Sequence, residues 1–345
     1  MKLNIKKSST YLLLVLIFGT IISACGSSSA KAVSSSTSSS RSTSSTMHLY
    51  PPWNPSPAGG EHFTVPGVDN MPDFHGNPIA ATGPNGLVVF EAGNQFMVLP
   101  KLMTAFRKAY PQVKHIYYET LPPGILFKQV QKGSIVVGNL RLKIKPDVIT
   151  AGLGRMQKIY ATGQVGPYYV YAQNSLTLEV YKNNPKKITG LKSLARPGIK
   201  ISMPNPAWEG VAKQIKKAYV KAGGKKLLNT VMKTKLKNGQ TFLTHIHHRQ
   251  SPIRIMEKKS NVAPVWITEA LFQQRIGNPI SYVPIPPSQN VTAKYNISVF
   301  KNAPHQVAAK DFYNFMKSPT AQNIYKSYGF VPGTPKQLNT TLTKG

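Results

Sequence analysis

The chain has 345 residues, of which 43 are Lys or Arg and only 11 are Asp or Glu, giving a formal net charge of +32. It contains one cysteine, so no disulfide can form within the chain and the fold must rely on core packing. Such basicity is typical of proteins that bind nucleic acid or anionic surfaces. The lysines are scattered and no nucleic-acid motif is present, so we do not expect nucleic acid as a partner.

Residues 1–24 have the three parts of a secretory signal: a lysine-containing start, an apolar run at 11–22 and small residues before Cys25. The apolar run is shorter than the roughly 20 residues that a membrane-spanning helix needs. The tetrapeptide that ends at Cys25 resembles the lipobox of bacterial lipoproteins, in which the cysteine becomes the lipidated first residue. The alternative is an ordinary secretory signal with an incidental cysteine. We expect an extracytoplasmic protein whose membrane anchor is a lipid on Cys25.

Two segments without regular periodicity follow the signal. Residues 25–46 are almost all Ser, Ala and Thr, which predicts a flexible tether. Residues 47–86 are rich in Pro, Gly and Asn, which predicts an irregular lead-in that packs over the folded domain.

From Leu87 onward, short apolar strands alternate with loops and amphipathic helices. The predicted strands are 87–90, 113–118, 147–150, 199–203, 262–266, 280–285 and 294–300. Repetition of strand, loop and helix predicts an α/β fold with a parallel sheet covered on both faces. Two α/β lobes are the most economical arrangement, and two amphipathic helices close the chain.

A series of short segments, taken in order, carries a family resemblance. The segments are 88–94, 106–111, 147–149, 194–199, 203–206, 293–296, 312–316, 318–322 and 328–330. The series resembles the type II periplasmic solute-binding proteins of ABC importers, especially the molybdate-binding branch. The resemblance implies a two-lobed fold with a ligand cleft between lobes and two crossover strands. Lobe 1 would comprise 87–173 and 294–345, and lobe 2 would comprise 174–293.

In open α/β sheets, ligands bind beyond the carboxyl ends of the strands, where loops meet helix N-termini. Four loops of this kind are 91–95, 119–124, 204–210 and 267–269. The resemblance adds Tyr295 on the returning strand, and Arg249 could contact an anion from lobe 2. The remaining candidate ligand contacts are Glu91, Gly93, Asn94, Gln95, Glu119, Thr120, Gly124, Asn205, Trp208, Glu209, Trp266 and Glu269.

Each of the four loops contains one glutamate, although the chain has only 11 acidic residues. Carboxylates that face one cleft repel an oxyanion and favour a cation, a metal complex or an amine. Alternatively, these glutamates pair with neighbouring basic residues or lie in first helical turns. An oxyanion ligand remains the expectation if they point away from the cleft.

The densest histidine group is near residue 247. Strand alternation would place His245 and His247 on one face, at a spacing that a metal ion could use. No carboxylate or cysteine lies nearby in sequence to complete such a site, so the alternative is a surface or ligand-contact role. Trp208 and Trp266 lie beside site loops and either wall the cleft or pack against the lobe.

We find no phosphate-binding loop, nucleophile elbow or zinc-peptidase motif, so we expect a binding protein without cofactor instead of an enzyme. The expected function is capture of a small polar or ionic ligand and its delivery, as a monomer, to an ABC permease. Three alternatives are a solute-sensing receptor of the same fold, a basic surface protein that binds anionic wall polymer, and a hydrolase built on this fold.

The scarcity of acidic residues also indicates the working environment. Folded carboxylates with lowered pKa values contribute stability that is lost as the pH falls. A chain with few carboxylates has little of this stability to lose, so we expect an acidic exterior.

Overall fold

The computed structural model describes residues 47–49 and 74–343, apart from 138, 139, 208 and 246. The expected signal peptide, the tether with Cys25, most of the lead-in and Trp208 lie outside the described residues. In the described part, no helix combines the length and the apolarity that spanning a membrane requires.

Strands and helices alternate along most of the described chain. The strands are β1 Met47–Leu49, β2 Phe74–His75, β3 Gly86–Phe90, β4 His115–Glu119, β5 Ile135–Val137, β6 Leu140–Leu142, β7 Val148–Gly152, β8 Tyr169–Tyr181, β9 Ile201–Met203, β10 Thr241–Leu243, β11 Val262–Trp266, β12 Ile280–Pro284, β13 Thr292–Val299 and β14 Val331–Pro332. The helices are α1 Pro78–Ala81, α2 Leu99–Ala109, α3 Pro123–Lys132, α4 Leu153–Tyr160, α5 Gly210–Asn229, α6 Lys235–Lys237, α7 Gln250–Met256, α8 Ile267–Arg275, α9 Gln306–Phe315, α10 Pro319–Ser327 and α11 Pro335–Asn339.

Eleven of these strands form one curled sheet in the order β10-β9-β11-β8-β13-β7-β3-β4-β2, with β12 and β14 also paired to β8. The strands β3, β4 and β7 run parallel, as do β9, β10 and β11. The central strands β8 and β13 pair antiparallel with their neighbours. The sheet is therefore mixed, whereas the sequence predicted a parallel one, because the chain crosses the middle of the sheet in both directions.

Two large hydrophobic cores divide the sheet. The first draws on residues between 81 and 172 and between 295 and 330, and the second on residues between 176 and 285. We call the parts around them lobe 1 and lobe 2. In lobe 1, the apolar face of α2 is buried, with Leu99, Leu102 and Phe106 fully inaccessible. Burial of each such side chain stabilises the fold by about 1.5–3 kcal/mol.

Strand β8 passes from one core to the other. Its residues Tyr169 to Ala172 pack in lobe 1, and Leu176 to Val180 pack in lobe 2. The return strand β13 pairs with β8 and then with β7 of lobe 1. These are the two crossover strands expected from the sequence, and the ligand cleft lies beside them. The exact lobe boundaries remain a prediction.

Part of the lead-in is more regular than its composition suggested. Within 47–86, β1 pairs with β5, β2 pairs with β4, and α1 forms one short helix. The Asn77 side chain accepts hydrogen bonds from the first backbone N–H groups of α1, and Pro78 occupies its first turn. Elements this short have no detectable period, so periodicity could not reveal them.

Candidate functional site

A cleft of about 570 Å³ lies between the lobes. Four helices begin at its walls: α3 and α4 from lobe 1, and α5 and α8 from lobe 2. The lining residues at these starts are Pro122 and Pro123, Gly152 to Gly154, Glu209 to Val211, and Trp266 with Glu269. A helix N-terminus carries a partial positive charge, so four such ends around one space favour an anion.

The charged side chains that line the cleft also favour an anion. Six cationic residues are among the lining residues: Arg155, Lys158, Lys213, Lys217, Arg249 and Lys294. They come from both lobes and from the return strand β13. Among the described residues that line the cleft, only Glu209 and Glu269 are acidic.

Both of these carboxylates bind one buried histidine. The Nδ1 atom of His248 lies 2.5 Å from Glu209 Oε2, and its Nε2 atom lies 2.6 Å from Glu269 Oε2. The backbone N–H of His248 also donates to Glu209, over 2.8 Å. We call these three residues the histidine clamp. Its imidazole stands between two carboxylates and contacts each with a different ring nitrogen.

The clamp fixes the charge of its members. Burial alone lowers the pKa of His248, but the charges of Glu269 and Glu209 and the hydrogen bonds to both outweigh it and raise that pKa to about 10. Burial favours a higher pKa for Glu209, yet the charge of His248 and hydrogen bonds from His248, Thr244 and the Asn205 backbone hold it below its ordinary value. At neutral pH the imidazolium therefore offsets much of the negative charge at the cleft.

A third carboxylate lies near the clamp. Glu179 on β8 is fully buried, and neither of its carboxylate oxygens has a hydrogen-bond partner among the described residues. Burial and then the charge of Glu269 raise its pKa well above its ordinary value. Glu179 therefore retains its proton to a higher pH than an ordinary glutamate does, which limits the negative charge that it adds near the clamp.

The two lobe 1 glutamates of the sequence prediction lie outside the cleft lining. Glu91 Oε1 accepts from Thr150 Oγ1 at 2.6 Å and lies 3.0 Å from the Tyr171 hydroxyl. Burial raises the pKa of Glu91 to about 7 despite these contacts. Glu119 accepts from the Tyr117 hydroxyl at 3.0 Å and from Gln129 Nε2 at 2.9 Å.

Aromatic and amide groups close the cleft beside the crossover strands. Tyr295 on β13 is buried, and its hydroxyl accepts a 2.6 Å hydrogen bond from Asn94 Nδ2. The Trp266 ring meets the Tyr295 ring edge-on, with centroids 6.2 Å apart. Both rings line the cleft, together with Asn94.

Arg249 connects the two lobes. It precedes α7 in lobe 2, and its Nη2 atom donates to the Thr120 carbonyl oxygen of lobe 1 over 2.6 Å. Its guanidinium group also lies 4.5 Å from the centroid of the Phe96 ring, again in lobe 1. The lobes are therefore in direct contact at Arg249.

Half of the fourteen sequence-predicted ligand residues line the cleft: Gly93, Asn94, Glu209, Arg249, Trp266, Glu269 and Tyr295. Six others do not: Glu91, Gln95, Glu119, Thr120, Gly124 and Asn205. Two of these support the lining, since Asn205 donates its backbone N–H to Glu209 and the Thr120 carbonyl oxygen accepts from Arg249. Trp208 lies outside the described residues.

The geometry expected for the histidine pair is wrong. Strand β10 ends at Leu243, so strand alternation does not apply to His245 and His247. His247 lines the cleft, whereas the His245 ring contacts Phe242, with centroids 5.5 Å apart. Among the residues that the structure describes, no three His, Cys, Asp or Glu side chains are grouped to hold a metal ion.

Sequence reasoning missed the lysines of the cleft, the α4 N-terminus and the role of His248. The glycine turn after β7 was visible in the sequence, and the rule that ligands bind beyond strand carboxyl ends would have included it. His248 gave no such signal, because its two partners lie 39 and 21 residues away.

Comparison with known proteins identifies the family to which this chain belongs. The model of the bacterial extracellular solute-binding protein family matches residues 87–331. The chain belongs to this family. Proteins of the family bind solutes outside the cytoplasm, which agrees with the expected extracytoplasmic location. No curated protein sequence matches the chain significantly.

Solved structures of such binding proteins share the two-lobed type II fold. The sulfate-binding protein SubI from Mycobacterium tuberculosis H37Rv has a TM-score of 0.59 and 21% identity, over 73% of this chain and 88% of its own. The periplasmic molybdate-binding protein of Azotobacter vinelandii has a TM-score of 0.59 and 19% identity, over 72% and 100%. A substrate-binding protein of an ABC transporter from Agrobacterium tumefaciens has a TM-score of 0.61 and 12% identity, over 76% and 84%. At these identities the likeness concerns the fold.

Proposed function

We propose that this solute-binding protein captures an oxyanion in the cleft by lobe closure and delivers it to an ABC permease. It would act as a monomer, anchored outside the cytoplasm by a lipid on Cys25. The sulfate- and molybdate-binding relatives support an oxyanion, and the relative from an ABC transporter supports delivery to a permease.

The observation that carries the proposal is the electrostatic character of the cleft. Six cationic side chains and four helix N-termini converge on it, whereas its two carboxylates are held by the protonated His248. A space lined in this way attracts a small anion and orients it with backbone and side-chain donors. A cation, metal complex or amine would instead face the whole positive field of the cleft.

Closure follows from contacts that both lobes make with the ligand. A ligand shifts the equilibrium between open and closed lobes only through its higher affinity for the closed form. Arg155 and Lys158 approach from lobe 1, and Lys213 and Lys217 approach from lobe 2. An anion between these two pairs relieves their mutual repulsion only when the lobes are closed, so its binding energy favours closure.

A thermal-shift screen at constant ionic strength tests the proposal. Molybdate, sulfate and phosphate are compared with Ni²⁺, Ca²⁺ and a polyamine. A specific ligand at about 100 times its Kd stabilises the folded protein by about 2.7 kcal/mol and raises its melting temperature. We expect at least one oxyanion to do so and the cations and amine to have no effect.

A pair of lysine variants tests whether the oxyanion binds in the cleft. Lys294→Gln removes a cleft charge, whereas Lys301→Gln removes an exposed charge outside the cleft lining. We expect the first to weaken binding of the stabilising oxyanion about tenfold, equivalent to about 1.4 kcal/mol, and the second to leave it unchanged. Stabilisation by a metal ion alone, or equal losses in both variants, would overturn the proposal.

A further inference from the structure

A second cavity lies along the outer side of α5, in lobe 2. Its volume is about 740 Å³, and the described residues that line it are Pro206, Lys213, Lys216, Lys217, Val220, Lys221 and Leu228. Four of these residues are lysines and none is acidic. We term this cavity the lysine groove.

The lysines of the groove form one stripe on the helix. Lys213, Lys217 and Lys221 are spaced four residues apart, and Lys216 lies three residues after the first, so all four share a face. At 1.5 Å per residue the stripe extends for about 12 Å. Like charges at this spacing destabilise a helix by a few tenths of a kcal/mol per pair. The segment Gly210–Asn229 contains no acidic residue that could compensate.

Apolar residues that line the groove strengthen the attraction for an anion. Val220, with 44% of its surface exposed, and Leu228 lie among the lysines. Apolar walls lower the local dielectric, so the lysine charges act more strongly there than on an open surface. The Lys221 ammonium group also donates to the Asn290 carbonyl oxygen over 2.7 Å, which fixes one end of the stripe.

The lysine groove adjoins the cleft. Lys213 and Lys217 line both cavities, so the two cavities meet at these residues. A single tetrahedral ion in the cleft is too small to follow a stripe about 12 Å long. A linear anion with repeated charges could occupy the cleft with one end and the groove with the rest.

We propose that the lysine groove binds the outer part of an elongated ligand that carries several phosphate groups. Lysine is a compact point charge that suits phosphate oxygens, and a row of four lysines suits a row of phosphates. This inference rests on the proposed function, because it assigns the inner end of the same ligand to the cleft. It narrows the ligand from oxyanions in general to linear polyphosphorylated anions.

Calorimetric titration with orthophosphate and with a short linear polyphosphate tests the inference. We expect the wild-type protein to bind polyphosphate at least about tenfold more tightly than orthophosphate. The variant Lys216→Gln/Lys221→Gln should lose most of this difference while its affinity for orthophosphate stays the same. The matched control Lys225→Gln/Lys226→Gln removes the same charge from the same element, outside the groove lining, and should retain the difference. Melting curves of both variants verify that they are folded.

Two results would overturn the inference: equal affinity of the wild type for both phosphates, or equal losses in both double variants. The second result would mean that the net charge of the protein alone attracts the polyphosphate. Failure of the proposed function has a different signature. In that case Lys294→Gln leaves orthophosphate binding intact, whatever the groove variants do.

Discussion

At the scale of single residues, the histidine clamp offsets the negative charge that two glutamates bring to the cleft. Two glutamates that the sequence assigned to site loops do line the cleft, and without a cation between them they would repel an oxyanion. His248 supplies that cation because it contacts both carboxylates, at 2.5 and 2.6 Å. The clamp thus reconciles acidic site loops with an anionic ligand.

Replacing His248 with Gln should therefore destabilise the protein and weaken anion binding. Breaking a buried ion pair by removal of one partner costs about 3–5 kcal/mol, since the remaining charges are left unpaired. The folded pKa of His248 is raised to about 10, so its contribution is complete below the ordinary value of 6.5 and is lost as the pH rises toward 10. Urea unfolding between pH 6.5 and 10 measures this loss in the wild type, and it should be absent in His248→Gln.

His115→Gln is the matched control for this prediction. His115 is exposed at the start of strand β4, and its replacement should leave both the stability and its alkaline slope unchanged. If His248→Gln kept the wild-type slope, another group would be responsible for the alkaline loss and the clamp would not carry a proton.

At the scale of elements, a contact between the segment before α7 and the loop after β4 joins the two lobes. Arg249 reaches the Thr120 carbonyl oxygen and the face of Phe96, both in lobe 1. Such a contact stabilises the closed state without ligand, by about 1.5–3 kcal/mol for a hydrogen bond to a charged group. It lowers the free energy that a ligand must supply for closure.

Arg249→Gln should shift the ligand-free protein toward the open state. Small-angle X-ray scattering should show a larger radius of gyration than that of the wild type, and added ligand should reduce the difference. Arg254→Gln is the control, because Arg254 lies over the Phe242 ring inside lobe 2, 3.4 Å from its centroid. An unchanged radius of gyration in Arg249→Gln would show that other contacts hold the lobes together.

The elements were largely predictable from the sequence, but their contacts were not. The apolar periodicity of α2 and the alternation of strands and loops depend on local spacing, which a sequence displays directly. The mixed sheet and the cross-lobe contact of Arg249 depend on how distant segments meet, and Thr120 lies 129 residues from its partner. Likewise, loop position identified Glu91 and Glu119 as candidates, whereas the buried partners that direct them away from the cleft became apparent only in three dimensions.

At the scale of the whole molecule, the acidic residues are mostly inside and the basic residues mostly outside. Of the eight acidic residues in the described part of the chain, six are buried: Glu91, Glu119, Asp147, Glu179, Glu209 and Glu269. Two of them, Glu91 and Glu179, have raised pKa values because burial disfavours their charged form. Their ionisation therefore opposes folding, the reverse of the usual contribution of a carboxylate.

The pH dependence of stability follows from these shifts. The pKa of Glu91 is 4.5 in the unfolded state and about 7 in the folded state. Between these two pH values, the folded state retains a proton on Glu91 that the unfolded state releases. Stability consequently rises as the pH falls through this window, and the raised pKa of Glu179 acts in the same direction. The raised pKa of His248 adds to this trend only above about pH 6.5. Glu209 acts oppositely, but its contribution is lost only below about pH 4.5, as the pH falls through its lowered pKa.

We therefore expect maximal thermal stability on the acidic side of neutrality, as suits the acidic exterior predicted from composition. Glu91→Gln should be less sensitive to pH than the wild type between pH 4.5 and 7, by up to about 3 kcal/mol, because the neutral amide has no proton to lose. Glu257→Gln likewise replaces a carboxylate with an amide, but at an exposed position. It should keep the wild-type dependence of stability on pH. Greater stability of the wild type at pH 7 than at pH 5, with the same slope in Glu91→Gln, would contradict the argument. The buried acids would then be stabilising charges, and the scarcity of carboxylates would carry no information about the environment.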